Sequence, residues 1–286
     1  MSHVVVAGVG MVKFAKPGTQ KPYREMVKDA VGDALADAGL VYTDVQQAFA
    51  AYIYGDSCSG QHALYELGMT GIPVVNVNNN CASGSSAIFL ARQAILSGQA
   101  ECVLALGFEE MPSGAISSMW ADRESPFDVF DNSINEFDYP MGPLALRCFG
   151  AAGHYYLEQY NAKPELFAQV AVKTRKHAQN NPYALFNSPL TVSDVLTAPV
   201  LYKDYLTRLM CCPPTCGAAA AIICSPDFAK HHGLTRGVNI VAQSMVTDIP
   251  ASFNDPMNLV RFKLIIHTTV SLTYPKRKSI FSFCCT

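Results

Sequence analysis

Cys81 closes an asparagine run and opens a run of small residues: Val77-Asn78-Asn79-Asn80-Cys81-Ala82-Ser83-Gly84-Ser85-Ser86. Ahead of it, Ile72 to Val77 has the composition of a short buried strand. Behind it, Ile88, Ala91, Ala94 and Ile95 share one helical face, and Gly98 is a fitting helix stop. The spacing therefore puts Cys81 at or just before a helix N-terminus. Unpaired backbone N–H groups and the positive end of the helix dipole favour a thiolate there, which makes Cys81 a candidate nucleophile. The small residues that follow leave room for a substrate to approach the backbone. The competing reading is an ordinary buried thiol, the usual fate of free cysteine.

The elements needed to hold that cysteine are legible on both sides. His3 to Gly8 is an apolar run ending in glycine, as in the first strand of a buried parallel sheet. Gly8-Val9-Gly10 invites a dinucleotide reading, but Lys13 stands where the third glycine of G-x-G-x-x-G belongs. From Tyr23 to Ala38 the apolar residues fall on one helical face that Gly39 ends. Ala48 to Tyr54 reads as a second strand, Ser59 to Leu67 as a short helix and Cys102 to Leu106 as a fourth strand. Alternating strands and helices imply a layered α/β fold with a mostly parallel sheet, whose switch-point crevice falls near Cys81.

From Glu109 to about Pro213 the rhythm breaks into a stretch rich in Pro, Met, Phe and Tyr. Two amphipathic helices are expected there, near Pro143 to Gln159 and Pro164 to Gln179, with a capping-box variant at Thr191 to Asp194. A long insertion of this kind usually covers a site. Gly217 to Cys224 then reads as a strand, Ser225-Pro226 as a helix start and Val238 to Ser244 as another strand.

Composition excludes several classes. A net charge of −2 with 21 Lys+Arg gives no basic footprint for nucleic acid. Apolar runs are too short or too interrupted to span a bilayer. The ten cysteines (58, 81, 102, 148, 211, 212, 216, 224, 284 and 285) are not spaced as a secreted disulfide framework, so free thiols in a reducing compartment are expected. Cys211-Cys212-Pro213-Pro214-Thr215-Cys216 has no second ligand pair at zinc spacing, so no metal site is expected.

The run N-N-N-C-A-S-G-S-S-A resembles the thiolase superfamily, together with G-M-T-G-I-P-V-V-N-V before it and A-E-C-V-L-A-L-G-F-E-E-M after it. More narrowly it is similar to the sterol carrier protein x type of 3-ketoacyl-CoA thiolase, and the likeness runs from Val4 to about Phe253. The resemblance implies that Cys81 is the acylated nucleophile and that coenzyme A is a co-substrate, with no permanently bound cofactor. It further implies a loop domain over the pocket, a homodimer and a peroxisomal setting in lipid β-oxidation. Lys173, Arg175, Lys176 and His177 would face coenzyme A phosphates, or else form a solvated helix face; no coenzyme A contact is assigned.

Two departures accompany the likeness. The family's H-D-C-F-like and G-H-P segments and its late cysteine do not occur, and Cys216 stands where an aspartate is usual. The expected organisation is a thiolase N-terminal domain over 1–253, with the insertion at about 109–213 and a divergent tail at 254–286. The second half of the fold is largely missing. The expected function is acyl transfer from a 3-ketoacyl-CoA; the alternative is a truncated, inactive isoform that binds acyl-CoA or pairs with a full-length subunit.

Overall fold

The computed structural model describes residues 3–113, 122–135 and 142–258. Most of the expected tail therefore lies outside the described residues, as do Cys284, Cys285 and His267. The chain divides into two compact units, one built from residues 3–112 and 215–246, the other from 113–214 and 247–258.

The first unit runs β1 (Val4–Met11), α1 (Tyr23–Ala38), β2 (Gln47–Ala51), α2 (Ser59–Leu64), β3 (Val74–Val77), α3 (Ser83–Leu96) and β4 (Cys102–Glu109). In the second unit lie α4 (Asp128–Asn135), α5 (Leu144–Gln159), α6 (Glu165–Ala178), α7 (Val192–Leu196), β5 (Val200–Tyr202) and β6 (Leu206–Thr207). The chain then returns to the first unit with β7 (Gly217–Cys224), α8 (Pro226–His231) and β8 (Val238–Ile240).

Six strands form one mixed sheet in the order β3-β2-β4-β7-β1-β8. β2 pairs in parallel with both β3 and β4, whereas β7 is antiparallel to β4 and β1, and β8 is antiparallel to β1. Four strands thus point one way, and β7 enters between two of them against their direction. An apolar run such as β1 signals burial on both faces; it carries no mark of a neighbour's direction.

Helices cover both faces, and the two-residue period of the strands decides which residue meets which helix. Leu104, Leu106 and Ile222 pack with Val27, Ala30, Val31 and Ala34 of α1. Val103, Ala105 and Ile223, one residue out of phase, pack with Ala87, Ala91, Ala94 and Ile95 of α3. Each Leu or Ile buried this fully contributes on the order of 1.5–3 kcal/mol. The glycines of Gly8-Val9-Gly10 serve close packing: a Cβ on Gly8 would overlap the Ala34 carbonyl, and one on Gly10 the Ala30 carbonyl. Beyond Val6 the outer edge of β1 has no paired residue of β8, and the Val9 N–H donates instead to the Asp37 carboxylate of α1 at 3.0 Å.

In the second unit, α5 and α6 occupy the two helical stretches expected there. Thr191 caps α7 by accepting from the Asp194 N–H at 3.1 Å, while Asp194 accepts from the Thr191 N–H at 2.8 Å. The β5–β6 hairpin and α4 were not foreseen. Tyr202 and Tyr205 of this hairpin are buried against the α5 glycines Gly150 and Gly153, and the Tyr205 hydroxyl donates to the Gly150 carbonyl at 2.7 Å. A three-residue strand against a two-residue one is too short to show a period.

Candidate functional site

The turn from β3 into α3 is built by its own side chains. The Ser83 hydroxyl accepts from the Asn79 N–H at 2.8 Å and donates to the Asn80 carbonyl at 2.6 Å. The Asn79 side-chain amide donates to the buried Ser86 hydroxyl at 3.0 Å. Asn80 has φ of 46°, a left-handed conformation that asparagine adopts more readily than most residues. Asparagine and serine are required here because short polar side chains must replace the backbone partners that a tight reversal removes.

Cys81 follows this reversal, two residues before the first residue of α3, and is exposed. It opens into a concave pocket of about 430 Å³ whose lining belongs entirely to the first unit. Small residues form much of that wall: Ala51, Gly84, Gly107, Gly217, Ala218 and Ala219. A Cβ on Gly107 would meet the Gly84 Cα at 4.0 Å, an ordinary contact, and one on Gly84 would meet nothing within 4 Å, so the two glycines keep the pocket wall open rather than pack it.

The pocket also holds a carboxylate, Glu109, at the end of β4. It accepts from the Tyr54 N–H at 2.8 Å and from the Ile53 N–H at 3.1 Å. Burial raises its pKa above the usual carboxylate value, and the two backbone donors partly offset that. Sequence reasoning gave Glu109 no role; the available signal was an acid ending an apolar strand, in Leu104-Ala105-Leu106-Gly107-Phe108-Glu109. The Tyr54 hydroxyl is pushed up by burial first, then by the charges of Glu109 and Cys81.

Cys216 lines the same pocket, buried, with its thiol donating to the Met111 carbonyl at 3.6 Å. Burial is the main cause that raises its pKa, followed by the carboxylates of Glu110 and Glu109. At this position the chain presents a neutral donor where the resembled pattern has an acid. Cys102 and Cys224, opposite each other on β4 and β7, are pushed by burial to about 12 and about 11. Cys148 in the second unit is pushed to about 11 for the same first reason.

No histidine lines the pocket among the described residues. His232 stacks on Phe228 at 3.8 Å, His62 meets the Tyr23 hydroxyl at 2.6 Å, and His154 lies 3.5 Å from Glu158 within the second unit. Of the basic group on α6, Arg175 lies over the Phe186 ring at 5.3 Å and donates to the Ser188 carbonyl at 3.3 Å. Lys173, Lys176 and His177 are exposed. Among the described residues no three His, Cys, Asp or Glu side chains are grouped to hold a metal ion. No helix among them is long and apolar enough to cross a membrane.

The profile of the thiolase N-terminal domain matches residues 4–203, a span that includes the β3–Cys81–α3 turn and the end of β4. The chain belongs to the thiolase family. Sterol carrier protein 2 of Oryctolagus cuniculus is 47% identical over 260 residues, covering 89% of this chain and 47% of that protein. The human sterol carrier protein 2 is 46% identical over 260 residues, covering 89% of this chain and 47% of its own. Benzoylsuccinyl-CoA thiolase subunit BbsB of Thauera aromatica is 28% identical over 258 residues, 86% of this chain and 61% of that one. The chain spans about half the length of the sterol carrier protein 2 relatives it matches. Among solved structures, human mitochondrial 3-ketoacyl-CoA thiolase in complex with CoA superposes with a TM-score of 0.61 at 17% identity, over 84% of this chain and 68% of that one. That likeness concerns the thiolase fold alone. The Ltp2-ChsH2(DUF35) aldolase gives a TM-score of 0.64 at 25% identity, over 80% of this chain and 57% of that chain.

Proposed function

We propose that residues 1–253 form a thiolase N-terminal domain, with 109–213 as its loop insertion, and that Cys81 accepts the acyl group of a 3-ketoacyl-CoA. The observation that carries this reading is the exposed Cys81 thiol on a pocket of small residues just before α3. The thiolate attacks the 3-keto carbon, and the C2–C3 bond breaks. Its electron pair stays on C2, which takes up a proton as the shortened CoA thioester leaves. The acyl group remains on sulfur as a thioester until a second CoA thiol displaces it. The Cys81 N–H is the oxyanion donor in this reading. Coenzyme A is a co-substrate, the assembly a homodimer and the setting peroxisomal β-oxidation of fatty or sterol side chains, all by family likeness.

A second reading concerns these 286 residues taken alone: they bind or accept an acyl group without turning over. It is favoured by the absence of a histidine from the pocket lining among the described residues. Losing an oxyanion donor costs about 100- to 1,000-fold and losing an acid/base about 100- to 10,000-fold, though the two do not simply multiply. Mass spectrometry after mixing the purified polypeptide with a 3-ketoacyl-CoA distinguishes the readings. A slow, sub-stoichiometric adduct on Cys81 without sustained release of shortened acyl-CoA is the expected result. Multiple turnovers lost in Cys81→Ala would rule out the inactive reading, and absence of any Cys81 adduct would rule out the acyl-acceptor reading.

A further inference from the structure

We propose that the side-chain amide of Asn80 is a second donor to the oxyanion that develops at Cys81, beside the Cys81 N–H. This deepens the acyl-acceptor reading, on which it rests, by adding a catalytic residue to it. Asn80 and Cys81 line the same pocket, and the Cys81 thiol donates to the Asn80 side-chain oxygen at 3.9 Å. The amide therefore stands at the reacting sulfur itself. The oxygen of an acyl carbon bonded to that sulfur lies two bonds away from it, within reach of the same amide.

Three consecutive asparagines precede Cys81, and the structure gives each a different task. The Asn78 side-chain oxygen accepts from the Asn80 N–H at 3.1 Å and braces the backbone of the turn. The Asn79 side chain donates to Ser86 at 3.0 Å and ties the turn to α3. The Asn80 carbonyl completes the reversal, accepting from the Ser83 N–H at 3.0 Å and the Ser83 hydroxyl at 2.6 Å. That leaves the Asn80 side chain for the pocket: among the described residues its amide nitrogen donates to no group. Neighbouring donors are already committed, the Ala82 N–H to the Asn79 carbonyl and the Ser83 N–H to the Asn80 carbonyl, each at 3.0 Å. A carboxamide carries an acceptor oxygen and two N–H donors on one carbon, and its last torsion is soft. With sulfur protonated, the oxygen takes the S–H. Once sulfur has added to a carbonyl carbon, a half-turn of the amide presents N–H to the new oxyanion.

Two neutral reagents separate this role from a structural one. With p-nitrophenyl acetate the thiolate sulfur adds to the ester carbonyl carbon, and the carbonyl oxygen takes the negative charge. Collapse then breaks the C–O bond to the aryl group, and p-nitrophenolate leaves with its electron pair. With iodoacetamide the same sulfur displaces iodide from a CH2 carbon, and no oxyanion forms. Peptide mapping of the full chain gives the acetylation-to-alkylation rate ratio at Cys81, with exposed Cys212 as the internal reference. Thiolate fraction cancels from this ratio. Asn80→Gly removes the amide and keeps the left-handed turn, since glycine adopts a φ of 46° freely. The expected result is a Cys81 ratio lowered by about 10- to 100-fold, with the Cys212 ratio unchanged. Asn80→Asp shares asparagine's tolerance of this backbone but has no N–H to give, and it lowers the Cys81 ratio as well. An unchanged ratio in Asn80→Gly, whether both rates hold or fall together, would overturn the proposal, as would a parent ratio kept by Asn80→Asp. If Asn80→Gly does not fold, Asn80→Asp decides. Acetylation by the ester needs no 3-ketoacyl-CoA. An Asn80-dependent ratio at a Cys81 that no 3-ketoacyl-CoA acylates would therefore reject the thiolase reading and leave this one standing; a Cys81 adduct from 3-ketoacyl-CoA with an Asn80-independent ratio would do the reverse.

Discussion

β4 and β7 pair along their whole length, from Cys102 opposite Cys224 at one end to Glu109 opposite Gly217 at the other, and the two ends behave oppositely. At the first end two thiols are fully buried and held protonated far above their ordinary range. At the second, glycine and alanine open a pocket that holds an exposed thiol and a carboxylate. The same residue type is sealed packing at one end and an accessible thiol at the other. The difference comes from what surrounds it: large aliphatic side chains seal one end, and small residues beside a helix start leave the other open.

The largest effect expected is at the open end. Cys81→Ala abolishes acyl-adduct formation, read by mass spectrometry, while its unfolding free energy stays within about 0.5 kcal/mol of the parent, as for an exposed position. A large loss of stability would erase the distinction between the two ends. At the sealed end the signs reverse: Ile222→Ala, on β7 between them, lowers unfolding free energy by about 2–5 kcal/mol in urea titration. The iodoacetamide labelling rate of Cys81 in the remaining folded fraction is unchanged.

Alkaline titration sharpens the contrast next. Cys102 and Cys224 have folded-state values raised above the unfolded one, so the unfolded chain loses its protons first. Their contribution to stability is fully present below the ordinary thiol pKa of about 8.5 and declines as pH climbs toward the folded values. Thermal melts between neutral and alkaline pH should show this decline, reduced when both are replaced by alanine. The smallest effect belongs to the second unit, where Thr191→Ala removes the α7 cap and costs about 1 kcal/mol in chemical unfolding, with Cys81 labelling unaffected.

The sequence made the layers of the first unit readable because α1 and α3 carry clean apolar stripes and end at Gly39 and Gly98, both with positive φ. Cys81 was readable too, since a strand, a polar turn and a small-residue helix start meet in ten residues. The antiparallel insertion of β7 was not, because Ala218 to Ile223 state burial and are silent on direction. Nor was Glu109: its meaning lies in contacts 55 and 56 residues away in the chain, at Tyr54 and Ile53, and no local period reports those. Asn79, Ser83 and Ser86 looked like turn and spacer residues, and their mutual bonds appear only once the reversal is folded.

The Asp37 carboxylate that takes the Val9 amide has a consequence for how this protein behaves when crowded. β8 covers β1 only along Val4 to Val6, so past that point the strand's outer edge has no paired strand among the described residues, with Val9 itself 57% exposed. Borders of this kind invite strands from other molecules and seed fibrous association. A side chain from the neighbouring helix folded over the amide acts as a guard, and Asp37→Ala is expected to make concentrated solutions scatter light without first unfolding.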